Sequence, residues 1–240
     1  MADGKDKIVD ALDAAVTPLL QALDRLALIS RQMHPPRLIA LIEEAGDAAP
    51  LVRHGIEALE NIEWPTNLQS VAAQLKLASE QTCEAFDQLQ SAAHNPNGLM
   101  HAYYALRHAT RAQASLYPLT AMLPSVSRFF LEDAARHDDA LAARLEAGAG
   151  RENTGVMHST SATGNTRGGF SLYVPENYDA AKAHPLILGM HGGSGDGRSY
   201  LWSWLRAARS RGAILVSPTS RGSTWALQGP DIDTPNLLSM

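Results

Sequence analysis

The sequence predicts a chain of two parts, an all-α helical bundle followed by an incomplete α/β segment built on a parallel sheet. Three observations predict this organisation. Apolar residues recur at three- and four-residue intervals through the first 147 residues. After Glu146 this periodicity gives way to short apolar runs between glycine-rich turns. Two of these runs, at 186–190 and 213–217, flank a glycine loop and a helical segment, which is the order of a βαβ unit.

Five or six helices separated by short breakers account for the first part. The first helix carries an apolar stripe from Ile8 to Leu26, and Pro35-Pro36 stops it. The remaining helices are predicted at 37–45, 47–63, 67–93, 99–115 and 125–145. Most of the intervening segments contain proline, asparagine or glycine, which break helices. The pattern is typical of an up-and-down bundle.

The second part reads as strands joined by glycine-rich turns and one helix. The predicted elements are strands at 155–161, 169–174 and 186–190, a helix at 200–211 and a strand at 213–217. A Gly/Asn-rich turn is predicted at 162–166, and the apolar run at 186–190 is typical of a strand buried on both faces. Ser199 suits the N-cap of the helix and Gly212 its C′ position. We expect the strands on either side of this helix to be parallel.

These patterns predict three segments. They are a helical bundle at 1–147, a linker with the first strand at 148–168, and an α/β domain at 169–240. The net charge of -5 and the pI near 6.0 exclude a basic nucleic-acid-binding face. No signal-peptide core and no 18-residue apolar run occur, so we expect no membrane span and a cytoplasmic location. The single cysteine, Cys83, excludes an internal disulfide and suits a buried position on a helix.

The glycine loop at 191–197 is the segment most suited to chemistry. A phosphate-binding loop needs a lysine, and none is near. A dinucleotide fingerprint starting at Gly193 would need a sixth-position glycine, where Arg198 stands. No cofactor is therefore predicted. The loop fits instead a His-Gly-Gly oxyanion segment, in which backbone N–H groups must approach a developing negative charge without obstruction from a Cβ.

Several segments together resemble a known family. They are LILGMHGGSGDG from Leu186, GFSLYVPENY from Gly169, the return strand ILVSP, and SRGSTW from Ser220. This set resembles the phospholipase/carboxylesterase branch of the α/β-hydrolase superfamily, which includes polyhydroxybutyrate-depolymerase-like and feruloyl-esterase-like enzymes. The resemblance covers 169–240 and none of the helical part. It implies an α/β-hydrolase segment, the N-terminal portion of a serine carboxylic-ester hydrolase acting on a small ester.

The resemblance also implies roles for the loop residues. Gly193 is the best match for the backbone donor to the oxyanion, Gly192 and Ser194 flank it, and His191 anchors the loop through its ring. Ser194 does not match the nucleophile, because the sequence from Gly192 to Asp196 lacks the final glycine of Gly-x-Ser-x-Gly.

No Gly-x-Ser-x-Gly motif occurs in the 240 residues. The family pattern places the nucleophile, the acid and the histidine after Met240, so the chain alone is predicted to be inactive. We expect a fragment of a longer or split protein, or else a genuinely short relative. In the family's sheet the nucleophile strand lies beside the strand at 186–190, which is therefore expected to be an exposed edge.

Other groups of histidine and aspartate residues give weaker evidence of a functional site. His94, His101 and His108 are seven residues apart, roughly 10 Å along a helix, which is too far for one metal ion. Asp231 and Asp233 are too few ligands for calcium and suit a helix cap better. No metal is predicted. The alternative to a hydrolase is a non-catalytic helical oligomerisation or interaction protein carrying a hydrolase remnant, and a homo-oligomer through the bundle is compatible with either.

Overall fold

The computed structural model of the chain describes residues 2–159, 167–226 and 228–240. Its contacts fall into two units, Met1–Leu119 and Thr120–Met240. The first unit is all helical and the second contains the sheet, so the predicted fold class of a helical bundle followed by a partial α/β segment is confirmed. Residues 120–147, which the sequence pattern places in the bundle, lie in the second unit.

Five helices build the first unit: α1 (Ala2–Gln32), α2 (Leu38–Ala45), α3 (Ala49–Glu60), α4 (Gln69–Ala93) and α5 (Gly98–Leu116). They match the predicted helices to within a few residues. Leu19, Leu23 and Leu26 of the α1 stripe are fully buried. Alanines let the helices approach closely, and a Cβ added at Gly55 of α3 would lie 2.8 Å from the Cα of Ala15 in α1. Within the described ranges, no helix has the length and hydropathy to span a membrane.

His108 of α5 serves the bundle by joining two glutamines of α4. Its Nδ1 lies 2.9 Å from Oε1 of Gln81, and its Nε2 lies 3.2 Å from the amide nitrogen of Gln88. An amide nitrogen only donates, so Nε2 accepts and Nδ1–H donates to Gln81. Burial, with a smaller contribution from the charge of Arg111, lowers the pKa of His108 below its usual value.

The second unit contains α6 (Pro124–Phe129), α7 (Asp139–Gly148), β1 (Gly155–His158), β2 (Phe170–Val174), β3 (Leu186–Leu188), α8 (Gly197–Arg211), β4 (Ile214–Pro218) and α9 (Thr234–Leu238). The strand order in the sheet is β1-β2-β4-β3. β2 is antiparallel to both of its neighbours. β3 and β4 are parallel, with Leu186 opposite Ile214, so the predicted parallel pair is confirmed. The Gly/Asn-rich turn predicted at 162–166 lies outside the described residues.

Two helix predictions in this unit were wrong. The single helix predicted at 125–145 is broken between α6 and α7, where the Arg128 side chain donates to the carbonyl of Arg136 at 2.6 Å and holds the chain in a turn. Asp138 then caps α7 by accepting the N–H of Leu141. The N-cap of α8 is Asp196 and not Ser199, because Oδ1 of Asp196 accepts the N–H of Ser199 at 2.8 Å. Gly212 ends α8 with φ of 61°, as predicted.

β3 is an edge strand. Its side chains at Leu186 and Leu188 are 68% and 55% exposed, so the expectation of a strand buried on both faces was wrong. Within the described ranges β3 pairs only with β4, which leaves its other edge open, as the sequence led us to expect. An apolar run alone does not distinguish a central strand from an edge strand.

A buried ion pair joins three elements of the second unit. Arg209 of α8 is 2% exposed, and its Nε donates to Oε1 of Glu176 at 2.9 Å. Glu176 follows β2 and also accepts the hydroxyl of Tyr173 at 2.8 Å. The guanidinium of Arg209 reaches α6 as well, where Nη1 donates to the carbonyl of Ser127 at 2.6 Å and Nη2 to its hydroxyl at 3.0 Å. These bonds fix the C-terminal half of α8 against β2 and α6.

We predict that Arg209→Met destabilises the second unit by about 3–5 kcal/mol, because it removes the guanidinium that balances the charge of the buried Glu176 carboxylate. Urea unfolding followed by tryptophan fluorescence measures the change. The control is Arg211→Met, which breaks an exposed pair with Glu132 and should cost no more than about 1 kcal/mol. Equal effects of the two variants would contradict the role given to Arg209.

The stability of the second unit should also depend on pH through His158 of β1. Its Nδ1 lies 2.8 Å from the hydroxyl of Ser171, and burial, followed by the charge of Arg198, lowers its pKa. The unfolded state therefore binds this proton first, and stability is lost as pH falls below about 6.5. His158→Gln should reduce the loss in unfolding free energy between pH 7.5 and 5.5, measured by urea titration. The control is His54→Gln, which lies in the first unit and should leave the pH dependence of the second unit unchanged.

Candidate functional site

The loop between β3 and α8, residues 189–196, is fixed on β4 at its first end and on Thr219, the residue after β4, at its second end. At the first end, Gly189 N–H donates to the carbonyl of Val216 at 2.8 Å, and the Ser217 hydroxyl donates to the carbonyl of Gly189 at 3.1 Å. At the second end, Gly197 N–H donates to the hydroxyl of Thr219 at 2.9 Å. A Cβ at Gly197 would overlap the Ser217 carbonyl oxygen, so glycine is required for the helix to start this close to the strand.

His191 ties the loop to the segment that follows β4. The residue is 3% exposed, and its Nε2 accepts the N–H of Ser220 at 3.1 Å. Because a backbone N–H only donates, the ring proton is on Nδ1, which donates to the carbonyl of Gly192 at 2.6 Å. The ring packs on Trp225 with centroids 4.9 Å apart, and Trp225 Nε1–H donates to the His191 carbonyl at 2.8 Å. Both ring nitrogens are therefore engaged with backbone, and neither is available to a nucleophile as a general base.

A tight turn follows His191. Gly195 N–H donates to the carbonyl of Gly192 at 3.1 Å and closes a four-residue turn. Ser194 stands at the third position with φ of 58°, the sign that a type II turn requires there. This conformation is unfavourable for a residue with a side chain. The N–H of Ser194 donates to the carbonyl of Ser223 at 2.7 Å, which helps hold it.

Gly192 and Gly193 present open backbone at the tip of the loop. Both are exposed, and a Cβ added at either would meet no atom within 4 Å. Neither has a positive φ. Within the part of the chain that the structure describes, no hydrogen bond engages the N–H of either residue. Neither conformation nor packing within the chain therefore requires glycine here, whereas close approach of a ligand oxygen to these N–H groups would.

The four residues that the sequence singled out, 191–194, differ in their hydrogen bonding. His191 and Ser194 are held by bonds to the segment after β4. Since the N–H of Ser194 donates to Ser223, the exposed residues of this group whose N–H has no partner among the described residues are Gly192 and Gly193. The 240-residue sequence adds no Gly-x-Ser-x-Gly nucleophile beside them.

Sequence reasoning missed Arg167, which bridges the loop and the segment after β4. Its Nε donates to the carbonyl of Ser220 at 3.1 Å, and its Nη2 reaches the Ser220 hydroxyl at 2.8 Å and the Gly195 carbonyl at 3.0 Å. Most of these acceptors are backbone carbonyls, which every residue carries. The sequence therefore contains no signal that would have identified this arginine.

The carboxylates of Asp231 and Asp233 accept hydrogen bonds from backbone N–H groups. Asp231 accepts the N–H of Thr234, the first residue of α9, at 2.9 Å, and this bond lowers the pKa of Asp231 below its usual value. Asp233 accepts two N–H groups, from Arg221 and Ala226. Over the described ranges, no three histidine, cysteine or acidic side chains come together as a metal site would require.

Comparison with known proteins finds similarity over a limited stretch. The chain is 37% identical over 71 residues to a probable feruloyl esterase C of Aspergillus oryzae, and equally to that of Aspergillus flavus. The aligned stretch is 26% of this chain and 26% of each relative, so the chain spans about a quarter of the length of the curated relatives it matches. No family model matches the chain, and no solved structure does. The similarity relates part of the chain to carboxylic-ester hydrolases.

The two kinds of glycine in this loop should respond differently to alanine. Gly197→Ala should destabilise the second unit by about 1–3 kcal/mol, because the new methyl group overlaps β4. Gly193→Ala should change stability by less than about 1 kcal/mol, since its Cβ meets open space. Thermal unfolding followed by circular dichroism measures both. A large loss for Gly193→Ala would show that this glycine serves the fold.

Proposed function

We propose that residues 169–240 are the oxyanion-loop portion of a serine carboxylic-ester hydrolase of the phospholipase/carboxylesterase branch. One observation carries the proposal: Gly193 is exposed, its N–H has no hydrogen-bond partner among the described residues, and its loop is held by the bonds of His191 and Ser194 to the segment after β4. The similarity to the feruloyl esterases supports it independently. The substrate is proposed to be a small carboxylic ester.

In this proposal the chain stabilises the negative charge that forms on the ester during the reaction. Attack on an ester carbonyl places a negative charge on the carbonyl oxygen, and the N–H of Gly193 donates to it. Such a donor is most effective when it is already oriented, because no reorganisation then accompanies the reaction. Gly192 and Ser194 shape the turn, and His191 anchors it. The second N–H donor in this fold belongs to the residue after the nucleophile.

The covalent chemistry requires a nucleophile elbow, and the 240-residue sequence contains no Gly-x-Ser-x-Gly motif. The nucleophile, the acid and the catalytic histidine would come from sequence that follows Met240 or from a separate polypeptide. Ser194 does not replace the nucleophile, since both nitrogens of the adjacent His191 are engaged with backbone. The 240-residue chain by itself is therefore proposed to be inactive.

We predict that a protein joining this chain to its downstream coding sequence hydrolyses p-nitrophenyl butyrate, and that Gly193→Val lowers kcat by about 10²–10³-fold. The valine side chain would obstruct the approach of the oxyanion to the N–H. The control is Ala180→Val, which adds bulk at an exposed position outside the loop and should leave kcat unchanged. The 240-residue chain should show no hydrolysis above buffer.

Three results would count against the proposal. Full activity in Gly193→Val would remove Gly193 from the oxyanion site. A downstream sequence without Gly-x-Ser-x-Gly would remove the catalytic claim. Hydrolysis by the 240-residue chain that disappears in Ser194→Ala would make Ser194 the nucleophile.

The second candidate is a non-catalytic helical protein that oligomerises or binds a partner. The feature that favours it is a group of half-exposed apolar side chains on α5, namely Met100, Tyr103 and Tyr104, with Arg107 stacked 4.9 Å over the Tyr104 ring. Apolar side chains grouped on a surface often mark an interface. Absence of esterase activity in the extended protein would favour this candidate over the hydrolase.

A further inference from the structure

The oxyanion loop is held from one side by the segment 219–226, which follows β4. Three bonds join the two segments in addition to the fixed ends of the loop. They are Ser220 N–H to the His191 ring, Trp225 Nε1–H to the His191 carbonyl, and Ser194 N–H to the Ser223 carbonyl. The position of the loop therefore depends on the shape of this segment.

The shape of the segment depends in turn on one buried carboxylate. Asp233 is 5% exposed, its Oδ1 accepts the N–H of Arg221 at 2.7 Å, and its Oδ2 accepts the N–H of Ala226 at 2.7 Å. The two oxygens thus hold both ends of the loop 221–226. Hydrogen bonds to an ionised acceptor are short and stronger than those between neutral groups, so this loop is closed firmly.

The carboxylate does not act as the cap of the helix that it precedes. Asp233 stands immediately before α9, but its side chain makes no bond to the first turn of that helix. The N–H of Thr234 is bonded instead by Asp231. The buried carboxylate of Asp233 therefore holds a loop that begins twelve residues earlier and does not cap the helix that follows it.

We propose that Asp233 is a positioning residue for the oxyanion loop. It fixes 221–226 so that Ser223 and Trp225 meet Ser194 and His191, and through them it sets the direction of the Gly193 N–H. The coupling between Asp233 and the loop stands on these bonds alone. Its consequence for ester hydrolysis rests on the proposed function.

The test of the coupling uses the 240-residue chain and two matched variants, Asp233→Asn and Asp231→Asn. Asparagine keeps one acceptor oxygen and replaces the other with a donor, which cannot accept the second N–H. Amide hydrogen exchange followed by NMR reads the bonds individually. In Asp233→Asn, exchange at Ser194 N–H, Ser220 N–H and Trp225 Nε1–H should accelerate by about tenfold or more relative to Leu215 in β4. Asp231→Asn should leave these rates unchanged.

The result that overturns the coupling is equally specific. Exchange that accelerates at Arg221 and Ala226 but not at Ser194 and Ser220 would show that Asp233 shapes only its own loop. If Asp233→Asn unfolds the second unit, Trp225→Phe provides the second variant, because it removes one indole hydrogen bond and keeps an aromatic ring on His191. Unchanged exchange at Ser194 and Ser220 in Trp225→Phe then overturns the coupling.

The consequence for catalysis is measured separately in the protein extended with its downstream sequence. Asp233→Asn should lower kcat for p-nitrophenyl butyrate by about tenfold with little change in KM, because the oxyanion donor acts mainly in the transition state. An unchanged kcat beside accelerated exchange would overturn the catalytic consequence of the positioning. An inactive wild type would overturn the proposed function and leave the coupling as the exchange data find it.

Discussion

The second unit depends on the buried ion pair between Arg209 and Glu176. A guanidinium that is 2% exposed is tolerated only when it is paired and hydrogen-bonded, and here each of its three nitrogens donates to the Glu176 carboxylate or to Ser127. The bonds join α8, the end of β2 and α6, which are distant in sequence, so they select one arrangement of these elements. At the other end of α8, Gly197 lies against the Ser217 carbonyl. Because both ends of α8 are fixed, the loop that precedes this helix ends at a defined position.

The fixed end of the loop matters because the N–H donors at the loop tip cannot stabilise their own position. Gly192 and Gly193 are exposed, and their N–H groups have no hydrogen-bond partner among the described residues. Their order comes from the residues on either side, where His191 is buried and Ser194 is held at a φ that a serine disfavours. The chain therefore keeps the tip open while the strain and the hydrogen bonds lie beside it. This is the arrangement that a preorganised anion donor requires.

The sequence predicted what depends on local periodicity and missed what depends on contacts over distance. The helices of the bundle and the parallel pair of β3 and β4 followed from apolar spacing. The break between α6 and α7 did not, because the bond that holds the turn runs from the Arg128 side chain to the backbone carbonyl of Arg136 and leaves no mark on the apolar spacing. Asp196 and Ser199 are both good N-caps, and only the geometry distinguished them. The sequence suggested a helix cap for Asp233, and its actual bonds to the loop 221–226 could not be predicted, because its partners are backbone N–H groups that almost every residue carries.

The open edge of β3 is the place where the proposed hydrolase would add the strand that carries its nucleophile. Parallel strands direct their carboxyl ends to one edge of a sheet, and ligands bind there in open α/β folds. The loop with Gly193 leaves the carboxyl end of β3, whose outer edge is unpaired among the described residues and whose leucines are exposed. In the proposed hydrolase, a parallel strand added at this edge would end beside that loop and deliver its elbow next to the Gly193 N–H. The same addition would pair the open edge of β3, so one strand would both satisfy this edge and bring the nucleophile to the oxyanion donor.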